Sequence, residues 1–132
     1  MNYFSITLHG KPCKSLYSID YDKMVFTSSC NDLVLDFSGC SGWTFNVSNY
    51  CTFKAGQNCT FNTGCGCTFR TGNYCTFDTK GNCTFSLWDI NTCKFKSYGG
   101  YGGGLSIILD RLNNEAYKLT KEFVALQKVK NG

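Results

Sequence analysis

The chain has 132 residues, with thirteen Lys and Arg against nine Asp and Glu, a net charge of +4 and a mean hydropathy of −0.20. That length bounds one domain or one capped repeat array. The excess is divided between residues 35–98 and 99–132, five basic and three acidic in each, with 1–34 neutral, so no segment is a basic tail and the balance disfavours an acidic nucleic-acid mimic.

The N-terminal region opens with a weakly alternating stretch, residues 2–9, carrying Tyr3, Phe4, Ile6 and Leu8. It reads as a strand closed by Gly10-Lys11-Pro12. Further on, Val25-Phe26 and Leu33-Val34-Leu35 read as strand leading into the next region. Residues 1–34 form an N-terminal cap in this reading. Residues 1–9 hold neither a basic start nor an apolar stretch of signal-peptide length. The longest aliphatic run, residues 107–109, is far too short for a bilayer. The ten cysteines are therefore expected as reduced thiols in a cytoplasmic setting rather than as a disulfide framework.

Residues 35–98 carry the dominant signal. Cys-Thr-Phe begins at Cys51, Cys59, Cys67, Cys75 and Cys83, a period of eight, and Cys93-Lys94-Phe95 follows after a ten-residue step. Degenerate copies extend it backward as Trp43-Thr44-Phe45 and Leu35-Asp36-Phe37. A short fixed period with one bulky apolar slot means stacked, near-identical coils. Side chains alternate along each short strand, so Cys and Phe share the inner face and Thr52, Thr60, Thr68, Thr76 and Thr84 face outward. The expected core is Phe45, Phe53, Phe61, Phe69, Phe77, Phe85 and Phe95 with Cys51, Cys59, Cys67, Cys75, Cys83 and Cys93. The sixth slot, Gly56, Gly64 and Gly72, suits a positive φ at a tight corner. Asn in slots seven and eight suits αL backbone and hydrogen-bonded ladders. About eight coils, each rising by the strand spacing, give a parallel β-solenoid roughly 38 Å long in which every Phe stacks on the next.

Residues 99–104 read as a Gly-rich hinge. Residues 105–110 and 116–119 read as a hairpin around Asn113-Asn114. Thr120 is a good N-cap for a helix over residues 121–130 with Phe123, Leu126 and Val129 on its packed side. Residues 105–132 then make a hairpin-helix element that either folds over the end of the rod or serves as a small docking element. The fold class is mainly β.

The copies Cys59-Thr60-Phe61-Asn62-Thr63-Gly64 and Cys67-Thr68-Phe69-Arg70-Thr71-Gly72 resemble octapeptide-repeat β-solenoid proteins of bacteriophages and mobile elements, and more distantly pentapeptide-repeat proteins. The period of eight in place of five favours a flatter, two-sided coil over a four-sided one. The resemblance covers about half of the chain and implies a phage-encoded inhibitor of a host defence enzyme, with an anti-CRISPR-like role. The rival class is a virion or tail-fibre component.

Candidate chemistry is sparse. His9 is the single histidine, no nucleophile or acid accompanies it in a recognisable motif, and the carboxylates are scattered, so no enzyme is expected. Cys65-Gly66-Cys67 is the one close cysteine pair, without zinc-ligand spacing, and no metal or cofactor is expected. Cys65, outside the register, is the thiol most exposed to reaction. The threonine row lacks the Thr-x-Thr pairs of an ice-binding array. Lys54, Arg70, Lys94 and Lys96 form an intermittent basic line open to nucleic acid. The irregular coil introduces Trp88, Asp89 and Ile90; insertions in repeat proteins map to a binding face, the alternative being that Trp88 packs under the C-terminal cap. Tyr98 and Tyr101 add aromatic area at that end. The partner expected is a host protein or ribonucleoprotein, with no membrane and with self-association open.

Overall fold

A computed structural model describes residues 4–12, 15–97 and 105–131. In chain order it contains β1 (Ser5–Leu8), β2 (Lys11–Pro12), β3 (Ser18–Asp20), β4 (Val25–Thr27), β5 (Leu33–Phe37), β6 (Thr44–Asn46) and β7 (Thr52–Ala55). There follow β8 (Thr60–Asn62), β9 (Thr68–Thr71), β10 (Thr76–Asp78), β11 (Thr84–Leu87), β12 (Lys94–Phe95), β13 (Ser106–Asp110), β14 (Glu115–Leu119) and helix α1 (Lys121–Asn131). The expected β-solenoid is present. Its strands alternate between an eight-stranded sheet, β14-β13-β11-β9-β7-β5-β1-β2, and a six-stranded one, β12-β10-β8-β6-β4-β3.

Each copy pairs in parallel not with the next copy but with the one sixteen residues away: Phe53 with Phe69, Phe69 with Phe85, Phe45 with Phe61, Phe61 with Phe77. One turn is therefore two octapeptides, and the eight coils expected from the period are about four turns, roughly 19 Å of rod at the strand spacing. The reason is steric. Eight residues of extended chain reach roughly 27 Å at most, too little to go out, turn and return around a phenylalanine.

The core is a zigzag of rings. Phe53 and Phe69 stack at 5.0 Å and 4°, Phe61 and Phe77 at 5.1 Å and 6°. Across the rod, Phe61 meets Phe69 edge-on at 5.1 Å and 72°. Stacking thus runs along each sheet and edge contacts join the sheets, both favoured by the ring quadrupole. Phe45, Phe53, Phe61, Phe69, Phe77, Phe85 and Phe95 are all buried, as are Cys51, Cys59, Cys67, Cys75, Cys83 and Cys93.

Two details of register differ from the sequence reading. Leu35, not Phe37, pairs with Phe53, and Phe37 pairs with Ala55. The first copy on that sheet is thus Leu33-Val34-Leu35, with two residues added at the following corner. Phe26 pairs with Phe45, so parallel stacking begins at β4.

The corners also distribute their roles differently. Positive φ falls on the eighth slot, at Asp32, Gly42, Tyr50, Asn58, Gly66, Tyr74 and Asn82, not on the sixth. The sixth-slot glycines answer to space: a Cβ at Gly56 would lie 2.5 Å from the Cys40 carbonyl oxygen, and one at Gly64 would lie 1.7 Å from Asn49 Oδ1. That Asn49 oxygen accepts the Cys65 amide at 2.9 Å, while Asn31 Oδ1 accepts the Asn49 amide at 3.0 Å. The ladder runs side chain to backbone, turn to turn.

Both ends are covered. At the start, β1 pairs antiparallel with β5, and Phe4 packs on Phe37 and Trp43. His9 lies in the β1–β2 turn with φ 53 rather than in the strand. At the far end β13 adds in parallel to β11, and β14 returns antiparallel. Thr120 Oγ1 accepts the Phe123 amide at 3.1 Å and caps α1. Phe123, Val124 and Gln127 face inward, whereas Leu126, expected on the packed side, is exposed; the side chain of Val129 lies outside the described residues. Gln127 stands in for a further strand on β12: its Oε1 accepts the Phe95 amide at 3.2 Å and its Nε2 donates to the Cys93 carbonyl at 3.0 Å.

Candidate functional site: an apolar end and a cationic groove

Outward slots along most of the rod hold Thr, Asn, Ser and charge, as expected of solvated strands. At the C-terminal end this changes. Strand β13 inverts the usual pattern: Ser106 and Asp110 are buried while Ile107 and Leu109 are about two-fifths exposed. The inward polar groups close the rod: Ser106 Oγ accepts the Cys83 amide at 3.0 Å, and Asp110 accepts from Asn113 Nδ2 at 2.8 Å. The outward pair continues the columns of Thr84 and Ser86 with apolar side chains.

Trp88 joins this end. It is 45 % exposed, and its carbonyl accepts the Leu112 amide at 2.8 Å, so the two residues are backbone neighbours; Leu112 is exposed as well. Ile90 instead is buried, and Asp89 serves the local fold, accepting the Asn91 amide at the start of a single 3₁₀ turn, Ile90–Thr92. Of Trp88, Asp89 and Ile90, Trp88 alone is exposed. Tyr98 and Tyr101, like the expected hinge, lie outside the described residues. Ile107, Leu109 and Leu112 were not singled out in the sequence. The signal that could have found them is the run Ser106-Ile107-Ile108-Leu109-Asp110, whose polar ends share one face of a strand.

The basic line does not hold together. Lys54 and Arg70 are register partners on β7 and β9 of the larger sheet, while Lys94 lies on β12, the edge of the other sheet, with Lys96 just beyond it. Lys54 and Arg70 are joined by a residue that the sequence reading placed with the positive C-terminal cap and not with this line, Arg111. Its guanidinium folds back over the sheet and donates to the Ser86 carbonyl, to Ser86 Oγ at 3.0 Å and to the Thr71 carbonyl at 2.7 Å. Ser38, Lys54, Ala55, Gly56, Arg70, Thr71, Gly72 and Arg111 together line a groove of about 350 Å³. Burial first, and then the neighbouring Arg70 charge, lowers the pKa of Arg111. Asp36, nearby, turns its carboxylate to Ser38, accepting the amide at 3.1 Å and the hydroxyl at 2.7 Å. Those bonds, with a smaller contribution from Lys54, hold its pKa below the usual carboxylate value.

The solenoid supplies its own comparison. A corresponding groove on the opposite corner, about 370 Å³, is lined by Asn49, Asn62, Asp78, Lys80 and neighbours. One carboxylate and one ammonium balance there, so three cations are not a requirement of the coil.

The thiols form two inner rows, Cys51, Cys67, Cys83 and Cys59, Cys75, Cys93. Each sulfhydryl donates to corner carbonyls, for example Cys67 to Ser48 at 3.5 Å and Cys75 to Gly56 at 3.5 Å. Burial pushes Cys51 and Cys93 up to about 11. Cys75 and Cys83 are also pushed up, first by hydrogen bonds to Cys59 and Cys67 and then by burial. Cys51, Cys75, Cys83 and Cys93 are therefore protonated, packed groups at neutral pH, while hydrogen bonds from Cys75 and Cys83 lower Cys59 and Cys67. Cys65 is half-buried at a corner. Among the described residues no group of three or more His, Cys, Asp or Glu is placed to hold a metal ion, and no helix is long and apolar enough to cross a membrane.

The geometry defines a two-sided parallel β-solenoid with capped ends. Compared with known proteins, the chain matches no family model, no curated protein and no solved structure.

Proposed function

We propose that this is a non-catalytic binding protein that docks another protein through the C-terminal end of its larger sheet, and that it acts as a phage-encoded inhibitor of a host defence enzyme in the host cytoplasm. The observation that carries the docking surface is the group of exposed apolar side chains, Trp88, Ile107, Leu109 and Leu112, at one end of a rod whose outward strand slots from β6 to β11 are polar; Val34, Tyr50 and Tyr74 are exposed too, but at corners or at the other end. Lys118, opposite Ile107, and Arg111 border the patch, which favours a partner with an apolar centre and carboxylates at its rim. The inhibitor role and the phage source rest on the octapeptide-repeat resemblance. The structural alternative, a virion or tail-fibre part, draws on the stacked coils alone, and Gln127 on β12 with charged Glu115 and Lys118 on β14 works against end-to-end growth.

The test is affinity capture from nuclease-treated bacterial lysate. The expected result is one protein retained at fixed stoichiometry and lost in Leu109→Asp and Trp88→Ala, while Lys94→Gln retains it. Self-assembly into a defined oligomer with no host protein held would overturn the reading.

A further inference from the structure

We infer that the groove between Lys54, Arg70 and Arg111 is a binding site for the phosphate of a nucleotide unit, with Trp88 placed to stack on its base. This goes beyond the docking of a protein partner and does not depend on it.

Three observations converge. Lys54 and Arg70 are register partners, which puts their attachment points one strand spacing apart on the same face. Arg111 comes from a different element and is held in the groove by its bonds to the Ser86 and Thr71 carbonyls and Ser86 Oγ. Those bonds leave part of its donor fork unused. Two guanidinium groups and an ammonium line one small concavity and repel one another, and the neighbouring carboxylate, Asp36, register partner of Lys54, offsets only one of the three charges. The opposite corner shows that the same coil accepts a balanced pair, Asp78 and Lys80. A doubly charged anion in the groove would replace this repulsion with charge-assisted hydrogen bonds, for which arginine forks are well shaped.

Gly56 and Gly72 line the groove with backbone, the space a Cβ would take at either lying against the preceding turn, at Cys40 and Gln57. The next residue in that corner row is Trp88: Leu87 pairs with Thr71, so Trp88 stands one strand spacing beyond Gly72. Trp88 is exposed and follows Gly72 in the corner row just outside the residues that line the groove; a nucleotide held by its phosphate could reach that indole with its base, whereas inorganic phosphate has no use for it. A free nucleotide and single-stranded nucleic acid both supply this unit.

Isothermal titration calorimetry of the full chain at low salt tests the site with three probes: ATP, inorganic phosphate and a thymidine oligonucleotide. ATP is expected to bind and inorganic phosphate to bind much more weakly. Arg70→Gln and Lys54→Gln, both exposed positions, should each weaken ATP roughly tenfold, and Trp88→Ala should weaken it by a similar factor through lost stacking. Lys94→Gln and Lys96→Gln, on the other sheet's side, should change nothing. An oligonucleotide that binds tighter than ATP and shows a steep salt dependence assigns the site to single strands, and one that binds more weakly assigns it to free nucleotides. No binding of ATP or oligonucleotide, equal affinity for phosphate and ATP, or equal losses in the Lys94 and Arg70 variants would overturn the inference. Arg70→Gln is also expected to leave protein capture intact, and Ile107→Ser, in the Thr84 column away from Ser86, to weaken capture and leave ATP binding intact, so the two proposals fail separately.

Discussion

Single residues in this fold are judged against the turn above or below them, so chemically identical substitutions have different outcomes. Gly64→Ala drives a methyl into Asn49 Oδ1 and breaks that oxygen's bond to the Cys65 amide; a loss of about 1–3 kcal/mol is expected. Gly72→Ala meets nothing closer than 3.4 Å and should be neutral or slightly stabilising through the unfolded chain. Thermal melts of the two variants check the contrast, and equal losses would mean that the glycines serve backbone freedom instead of space. The buried thiols give a pH dependence. Cys51 and Cys93 rise from 9.0 to about 11 in the fold, so the folded state binds protons more tightly than the unfolded one. Their contribution is complete below pH 9 and is lost as pH rises from 9 to 11, of the order of 3 kcal/mol per thiol. Urea midpoints should fall across that window, and Cys93→Ala should flatten part of the fall.

Secondary-structure elements here cannot stand alone. Strands of two to five residues gain their stability from the ring stack and from neighbours on both sides. The terminal elements therefore carry a disproportionate share of the solubility. Strand β12 would present an open edge, and Gln127 occupies it with paired donor and acceptor bonds while Phe123 packs on Phe95 at 5.8 Å. Gln127→Ala should cost roughly 1 kcal/mol and release concentration-dependent association, read by light scattering. A variant that stays monomeric at high concentration would assign the blocking to the helix body.

Across the whole molecule the unit of length is sixteen residues. Removing 67–82 joins Gly66 to Cys83 and deletes one full turn, leaving every later strand on its own sheet and β13 still continuing the sheet of β11. The shortened chain should fold with unchanged circular dichroism shape. Removing 67–74 deletes half as much but sends every later strand to the opposite sheet, so the cap no longer meets its partner; aggregation or loss of cooperative unfolding is expected. If both deletions behave alike, the two-octapeptide turn is wrong.

The sequence by itself determined the parallel solenoid, the inward Phe and Cys, the outward Thr and the Thr120 cap, because each depends on short-range alternation that a period of eight makes visible. It also marked Trp88 as an irregularity. Turn length was not legible, since a period counts repeats and is silent on how many close a coil; the space needed by phenylalanine decides that. Nor was the register of Leu35, because the two residues added after Phe37 keep an apparent match to the triplet while shifting it. The basic line failed for a related reason: Lys54 and Lys96 occupy the same slot of their repeats but stand beside different sheets. The part of Arg111 in the groove was invisible because its place is set by a chain reversal and a fold-back across the sheet to Thr71, a contact forty residues away that only tertiary packing creates.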